Sequence, residues 1–222
     1  MGRLAVVLGS SATGLRGEGV AATVAAHGAL LLQRHGAGAE FRLPHRIDHA
    51  ANFRTLLEAG CDRVLGIGSV GSLKEGIGVG SLVCPDDFIA LQLGLTTFDD
   101  ARGHMAPGFE PDWRRRVLAA SAAIGGLLDG GVYWQTIGPR FETPAEIRMM
   151  AAHADLVGMT IASECVVATE LGLPYAALCM VDNLANGIGE RRLSLAELEV
   201  DREANAVRLA GALDSLLPEL TR

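Results

Sequence analysis

No stretch of this 222-residue chain is apolar for long enough to span a membrane, and its first residues, MGRLAVVLGSSATG, carry no signal-peptide pattern. A cytoplasmic protein with no membrane partner is the expectation. The four cysteines, Cys61, Cys84, Cys165 and Cys179, form no CxxC pair. Their scatter favours reduced thiols over disulfides or a zinc site. Basic excess is missing too. The formal net charge of −7 and a pI near 5.3 argue against a nucleic-acid partner, so any phosphate site must be a local arrangement. Charged residues are scarce, at 20% against 49% hydrophobic, and the mean hydropathy is +0.27. A chain this apolar is best covered by copies of itself, which points to a homo-oligomer. Repeats, linkers and low-complexity segments are also lacking. The length suits one domain over residues 1–222 with a single substantial core.

What is present is an alternation of short apolar segments with amphipathic ones. RLAVVLG, ALLLQ, DRVLGIG, SLVCPDDFIAL, GVYWQTIG, ADLVGMT and YAALCMV read as strands. HAANFRTLLEAG, DWRRRVLAASAAIG, PAEIRMMAAH, ASECVVATELG and SLAELEVDREANAVRLAGALDSLL read as helices, with Gly60 and Gly172 placed as C-terminal caps. The expected fold is α/β, a mixed and mostly buried β-sheet flanked by helices. The 28 glycines gather where strands end, which is where ligands bind in such folds.

Several strand ends carry candidate chemistry. LGSSATG, residues 8–14, could bring backbone amides and the Ser10 hydroxyl to an anion, or could be a tight turn. It lacks the middle glycine of a dinucleotide fingerprint and the lysine of a P-loop. QRHG places Arg34 and His35 as donors for an oxyanion, or as a surface pair. His45, Asp48 and His49 have a spacing that could hold a metal. However, Pro44 puts His45 at the very start of a helix, and neither an HExxH glutamate nor a third ligand is evident, so no metal is expected. The glycine run over residues 66–89 would let the backbone and Ser69 approach a flat ligand. Met159 and Thr160 end one strand, with Glu164 opening the next helix; the methionine suits either a core or a sugar face. Asn183, after Asp182, ends another strand and can donate and accept at once. In GPRFETPAEI, residues 138–147, Thr143 and Glu146 have capping-box spacing around Pro144. Glu142 has no such structural explanation.

The order of these motifs resembles the trimeric purine nucleoside phosphorylase family, in the branch that includes methylthioadenosine and methylthioinosine phosphorylases. The resembling segments are LGSSATGL, RHG followed by PHRIDHAANFRTL, GSVGSLKEGIGVGSLVCPDDFI, GPRFETPAEIRMM, ADLVGMTIASECVVATELGLPYAALCMV and Asn183, spanning residues 4 to about 190. The resemblance implies a nucleoside phosphorylase-like fold, a homotrimer, no cofactor, and inorganic phosphate as co-substrate. The implied reaction converts a purine nucleoside and phosphate to free base and a pentose 1-phosphate. Ser10, Arg34, His35, Ser69 and Thr160 would hold phosphate, and Met159 would lie against the ribose. Glu142 and Asn183 would read the purine, lined by Val70 and Phe141. Asn183, Glu142 and His35 are the implied catalytic residues.

Such a bond breaks with the sugar becoming cationic and the leaving purine anionic, so phosphate below and donors at the base edge both help. An ionised Glu142 would accept from N1–H of a 6-oxopurine and repel the bare N1 of adenine, so inosine, guanosine or 5′-methylthioinosine are the expected substrates. A 5′-methylthioadenosine phosphorylase, a hydrolase on the same scaffold and a non-catalytic purine-binding protein are the alternatives. The chain departs from the family pattern in three places. The interval from Gly14 to Arg34 is short, Ser10 stands for the usual Thr, and Ser163 stands for the usual Pro. The 5′ pocket would draw on Glu197 of the last helix and His104 of a neighbouring subunit, which leaves a 5′-hydroxyl and a 5′-methylthio group both open.

Overall fold

The structure, a computed structural model, describes residues 2–9, 15–36, 41–124, 127–189 and 195–222, and of residues 15–17, 123 and 195–203 only the backbone. The described strands are β1 (Arg3–Leu8), β2 (Leu30–Gln33), β3 (Cys61–Ser72), β4 (Leu82–Cys84), β5 (Asp87–Ile89), β6 (Leu127–Asp129), β7 (Val132–Gln135), β8 (Leu156–Gly158) and β9 (Tyr175–Leu184). The helices are α1 (Leu15–Ala26), α2 (His49–Glu58), α3 (Pro111–Ala120), α4 (Pro144–Ala151), α5 (Ile161–Glu170) and α6 (Leu195–Leu220). All nine strands join one sheet.

The central strands are apolar without alternation because both of their faces are covered. On one face, Leu4, Val6 and Leu8 of β1 pack with Val20 of α1 and with Leu209 and Leu213 of α6. On the other, Ala5 and Val7 pack with Phe53 of α2 and Ile161 of α5. Strand β3 is the hub. It runs parallel to β1 and to β9, and its last residues, Gly71 and Ser72, pair antiparallel with β8.

The sheet curls, and the sequence between strands forces it to. Along the hydrogen-bonded order β5-β7-β8-β3-β9-β4-β6, strands β4 and β5 lie far apart, yet only Pro85 and Asp86 join them. Three peptide units reach at most about 11 Å, so the two ends of the order must come together. Gly130 and Gly131, at φ +93° and +111°, make the matching link from β6 to β7. The two links bond each other: Asp86 N–H donates to the Gly131 carbonyl at 3.2 Å, and Gly131 N–H to Asp86 Oδ1 at 2.9 Å.

Three features differ from the sequence expectation. SLVCPDDFIAL is two strands rather than one, because Pro85 cannot donate to a ladder and redirects the chain. The interval from Gly14 to Arg34, read as short with ALLLQ as its strand, also holds a helix, α1. Gly17 and Gly19 weaken the helical signal by about 1 kcal/mol each, and packing of α1 on α6 outweighs that. Strand β6 is only three residues long, too short for any period, and forms by parallel pairing to β4. The helix caps match expectation. Thr143 and Glu146 close a reciprocal capping box at α4, and Gly60 and Gly172 have φ of +76° and +68° beyond α2 and α5.

Candidate active site

One cavity opens where β2, β3, β8 and β9 end. Arg34, His35, Ser69 and Thr160 line one part of it. Val70, Phe141, Glu142, Met159 and Asn183 line the rest, together with Asn186. Nine of the residues singled out from sequence are therefore neighbours, although they span 150 positions from Arg34 to Asn183.

Arg34 is buried and almost fully engaged. Its Nη2 donates to the carbonyls of Val7 and Ile67 at 3.0 and 2.8 Å, and its Nε lies 2.5 Å from Glu164 Oε1. Glu164, at α5's first turn, has no exposure and accepts from Tyr175 Oη at 2.7 Å. It therefore faces Arg34 rather than the ligand space, which is a more specific place than the opening of a helix. Burial pushes the Glu164 carboxyl above its ordinary value, with the Arg34 guanidinium and the Tyr175 hydroxyl acting against that shift.

Nη1 of Arg34 donates to Thr160 Oγ1 at 3.1 Å. Thr160 is the N-cap of α5, yet its hydroxyl makes no cap bond. The amides of Thr160 and Ile161 donate to the Tyr133 hydroxyl at 3.2 and 3.4 Å, whose own acidity is suppressed by burial. The Thr160 hydroxyl thus accepts from Arg34 and keeps its proton for an anion, beside a helix N-terminus that also favours negative charge. The departure at Ser163 has a local partner. Its Oγ accepts from Gln135 Nε2 at 2.5 Å and its N–H donates to Gln135 Oε1 at 3.0 Å.

His35 stacks on Phe41 with centroids 4.7 Å apart, and its Nδ1 lies 2.7 Å from the Arg42 carbonyl. A carbonyl only accepts, so Nδ1 carries the proton of the neutral ring. Ser69 donates its hydroxyl proton to the buried Asp182, which also accepts from Asn205 Nδ2 of α6 at 2.9 Å. Ser10 lies outside the described residues.

At the other part of the cavity, Glu142 is only 8% exposed. Thr136 Oγ1 donates to its Oε1 at 2.6 Å, and Asn186 Nδ2 donates to its main-chain carbonyl at 3.0 Å. Neither partner stood out in the sequence; both are single polar residues just beyond a strand, a weak signal that only spatial convergence strengthens. Asn183 Nδ2 bonds the Leu184 carbonyl at 2.8 Å. Gly138, at φ +67°, brings the GPRFET loop so close to Met159 that a Cβ there would lie 2.5 Å from its Sδ.

His104 follows a short turn at residues 101–103 and is not among the residues lining the cavity. Glu197 lies in α6, and its side chain is outside those described. His45 sits in a separate turn, Pro44–Arg46, while His49 begins α2 and Asp48 Oδ1 accepts from Ala51 N–H at 2.8 Å. The two histidines therefore do not share one helix. Among the described residues no group of three metal-ligating side chains converges. The four thiols are buried; burial pushes Cys84 up to about 11 and Cys165 up to about 12. No described helix is long and apolar enough to cross a membrane.

The sequence profile of the Phosphorylase superfamily matches residues 12–218. The chain belongs to that superfamily. Among its relatives is a protein of Archaeoglobus fulgidus named probable 6-oxopurine nucleoside phosphorylase, 43% identical over 178 residues, covering 79% of this chain and 73% of the relative. A protein of Xanthomonas campestris named probable S-methyl-5′-thioinosine phosphorylase is 37% identical over 206 residues, covering 88% and 80%. The fold is also that of the methylthioadenosine phosphorylase of Schistosoma mansoni solved with adenine, with a TM-score of 0.79 at 20% identity over 98% of this chain and 91% of that one.

Proposed function

We propose that the protein is a purine nucleoside phosphorylase selective for 6-oxopurine nucleosides, with inorganic phosphate as co-substrate and no cofactor. Phosphate oxygen bonds to C1′, the C1′–N9 bond breaks with its electron pair leaving on the base, and a proton then neutralises the purine. One observation carries the reading. A buried carboxylate, Glu142, shares a cavity with an amide, Asn183, and with the Arg34–Thr160 anion cradle.

Phosphate at Arg34, His35, Thr160 and the neighbourhood of Ser69 and Ser10 would place negative charge under the sugar as it becomes cationic. The Asn183 amide would donate to N7 as charge develops on the base. Glu142 would accept from N1–H, with Phe141 and Val70 against the ring and Met159 against the ribose. The names of both relatives denote 6-oxopurine nucleosides, which agrees with this use of Glu142. The methylthioadenosine reading meets an obstacle, since adenine N1 is an acceptor that a carboxylate repels.

The 5′ end of the nucleoside would be enclosed by Glu197 and by His104 of the partner subunit in a homotrimer. The buried, protonated thiols fit a reducing cytoplasm.

The test is a panel of inosine, guanosine, adenosine, methylthioinosine and methylthioadenosine, each with phosphate. The 6-oxopurines should be turned over preferentially and only with phosphate present. Equal rates without phosphate would point to hydrolysis, and binding without turnover to a non-catalytic purine receptor. Glu142→Gln should lower kcat/KM for inosine on the order of tenfold to a hundredfold while leaving the KM for phosphate nearly unchanged.

A further inference from the structure

The bond between Thr136 and Glu142 is used by none of the roles above. Thr136 directly follows β7 and is itself anchored, since its N–H donates to the Gly158 carbonyl at the end of β8, 2.9 Å away. Its hydroxyl has one proton, and that proton goes to Glu142 Oε1. Glu142 Oε2 forms no hydrogen bond among the described residues, and the side chain lines the cavity that also holds Asn183. Glu142 also borders a second cleft, which Thr136 lines together with Trp134 and Met149. Without a tether Glu142 could turn toward either space.

We infer that Thr136 is a positioning residue for base selection: its hydroxyl pins Glu142 Oε1, so that Oε2 faces the purine pocket as an ionised acceptor for N1–H of a 6-oxopurine. The inference rests on the phosphorylase reading and on the role given to Glu142 there. A hydroxyl bonds a carboxylate about twice as strongly as it bonds a neutral carboxyl group. An adenine base would need Glu142 protonated to satisfy its bare N1. The Thr136 bond therefore weighs against adenine even though Thr136 is not among the residues lining the cavity. Asn186 contributes by holding the Glu142 main chain, which leaves the side chain's aim to Thr136.

Thr136→Val keeps the shape of the side chain and deletes the donor, whereas Thr136→Ser keeps the donor. We would measure kcat/KM for inosine and for adenosine, and the KM for phosphate, in the full-length protein and both variants. The expected result is an inosine-to-adenosine ratio lowered about tenfold in Thr136→Val, restored in Thr136→Ser, with the KM for phosphate unchanged. A purely structural role would depress both nucleosides alike. That outcome, an unaltered ratio, or a Ser variant no better than Val would overturn the inference alone. No inosine preference in the unaltered protein would overturn the base assignment of Glu142 as well, so the two failures are distinguishable.

Discussion

At Gly9 a side chain would crowd Arg34. A Cβ there would lie 2.7 Å from Arg34 Nη1 and 3.6 Å from the Ile67 carbonyl. The guanidinium cannot swing aside, because Glu164 and two main-chain carbonyls hold its other nitrogens. Nη1 is the nitrogen that bonds Thr160 in the cavity, so under the proposed function displacing it should be felt by the anion first. Gly9→Ala is accordingly expected to raise the KM for phosphate about tenfold while changing the KM for nucleoside far less. Steady-state kinetics with each substrate varied in turn would check this, and an unchanged phosphate KM would remove Arg34 from the anion cradle. Glu164→Gln would be a poorer probe, since breaking a buried ion pair destabilises the whole protein by about 3–5 kcal/mol.

At the scale of single elements, α2 begins on a buried histidine. His49 is 6% exposed, its Nδ1 has no hydrogen-bond partner, and the Arg34 guanidinium lies near enough to repel a proton. Burial first, and the Arg34 guanidinium second, lower its pKa from the usual 6.5 to about 3. The unfolded chain therefore binds a proton between these two values that the folded chain does not. Stability should then fall as pH drops from about 6.5 toward 3, by about 1.4 kcal/mol per pH unit from this group. His49→Phe removes the titrating group, and urea midpoints followed from neutral to mildly acidic pH should decline less steeply in the variant. Parallel declines in the two proteins would show that His49 is not buried in the neutral form. The α5 start shows how an element can be capped from outside. The Gln135 side-chain carbonyl oxygen, arriving from β7, takes the Ser163 amide that an N-cap threonine would otherwise bond, and so leaves the Thr160 hydroxyl unused as a cap.

For the whole molecule, several large apolar side chains are exposed, and the proposed homotrimer would need to cover such surface. Leu91, Val207 and Met149 are 79%, 75% and 52% exposed. Sedimentation equilibrium should give about 70 kDa, three copies of the 23.2 kDa chain, and a mass near that of one chain would sink the trimer. The sequence by itself determined the alternating α/β plan, the capping box at Thr143 and Glu146, and the glycine-capped ends of α2 and α5. Each depends on neighbours within a few residues, so local chemistry suffices. It also carried the motif order that singled out Arg34, Glu142, Thr160 and Asn183. Only the tertiary structure decided that α1 forms despite Gly17 and Gly19, that the strand after Ser81 splits at Pro85, and that β6 exists. It alone turned Glu164 onto Arg34, the Ser69 hydroxyl onto Asp182 and Thr136 onto Glu142. Those outcomes rest on contacts between residues far apart in the chain, whose geometry is set when the curled sheet closes and not by any spacing along the sequence.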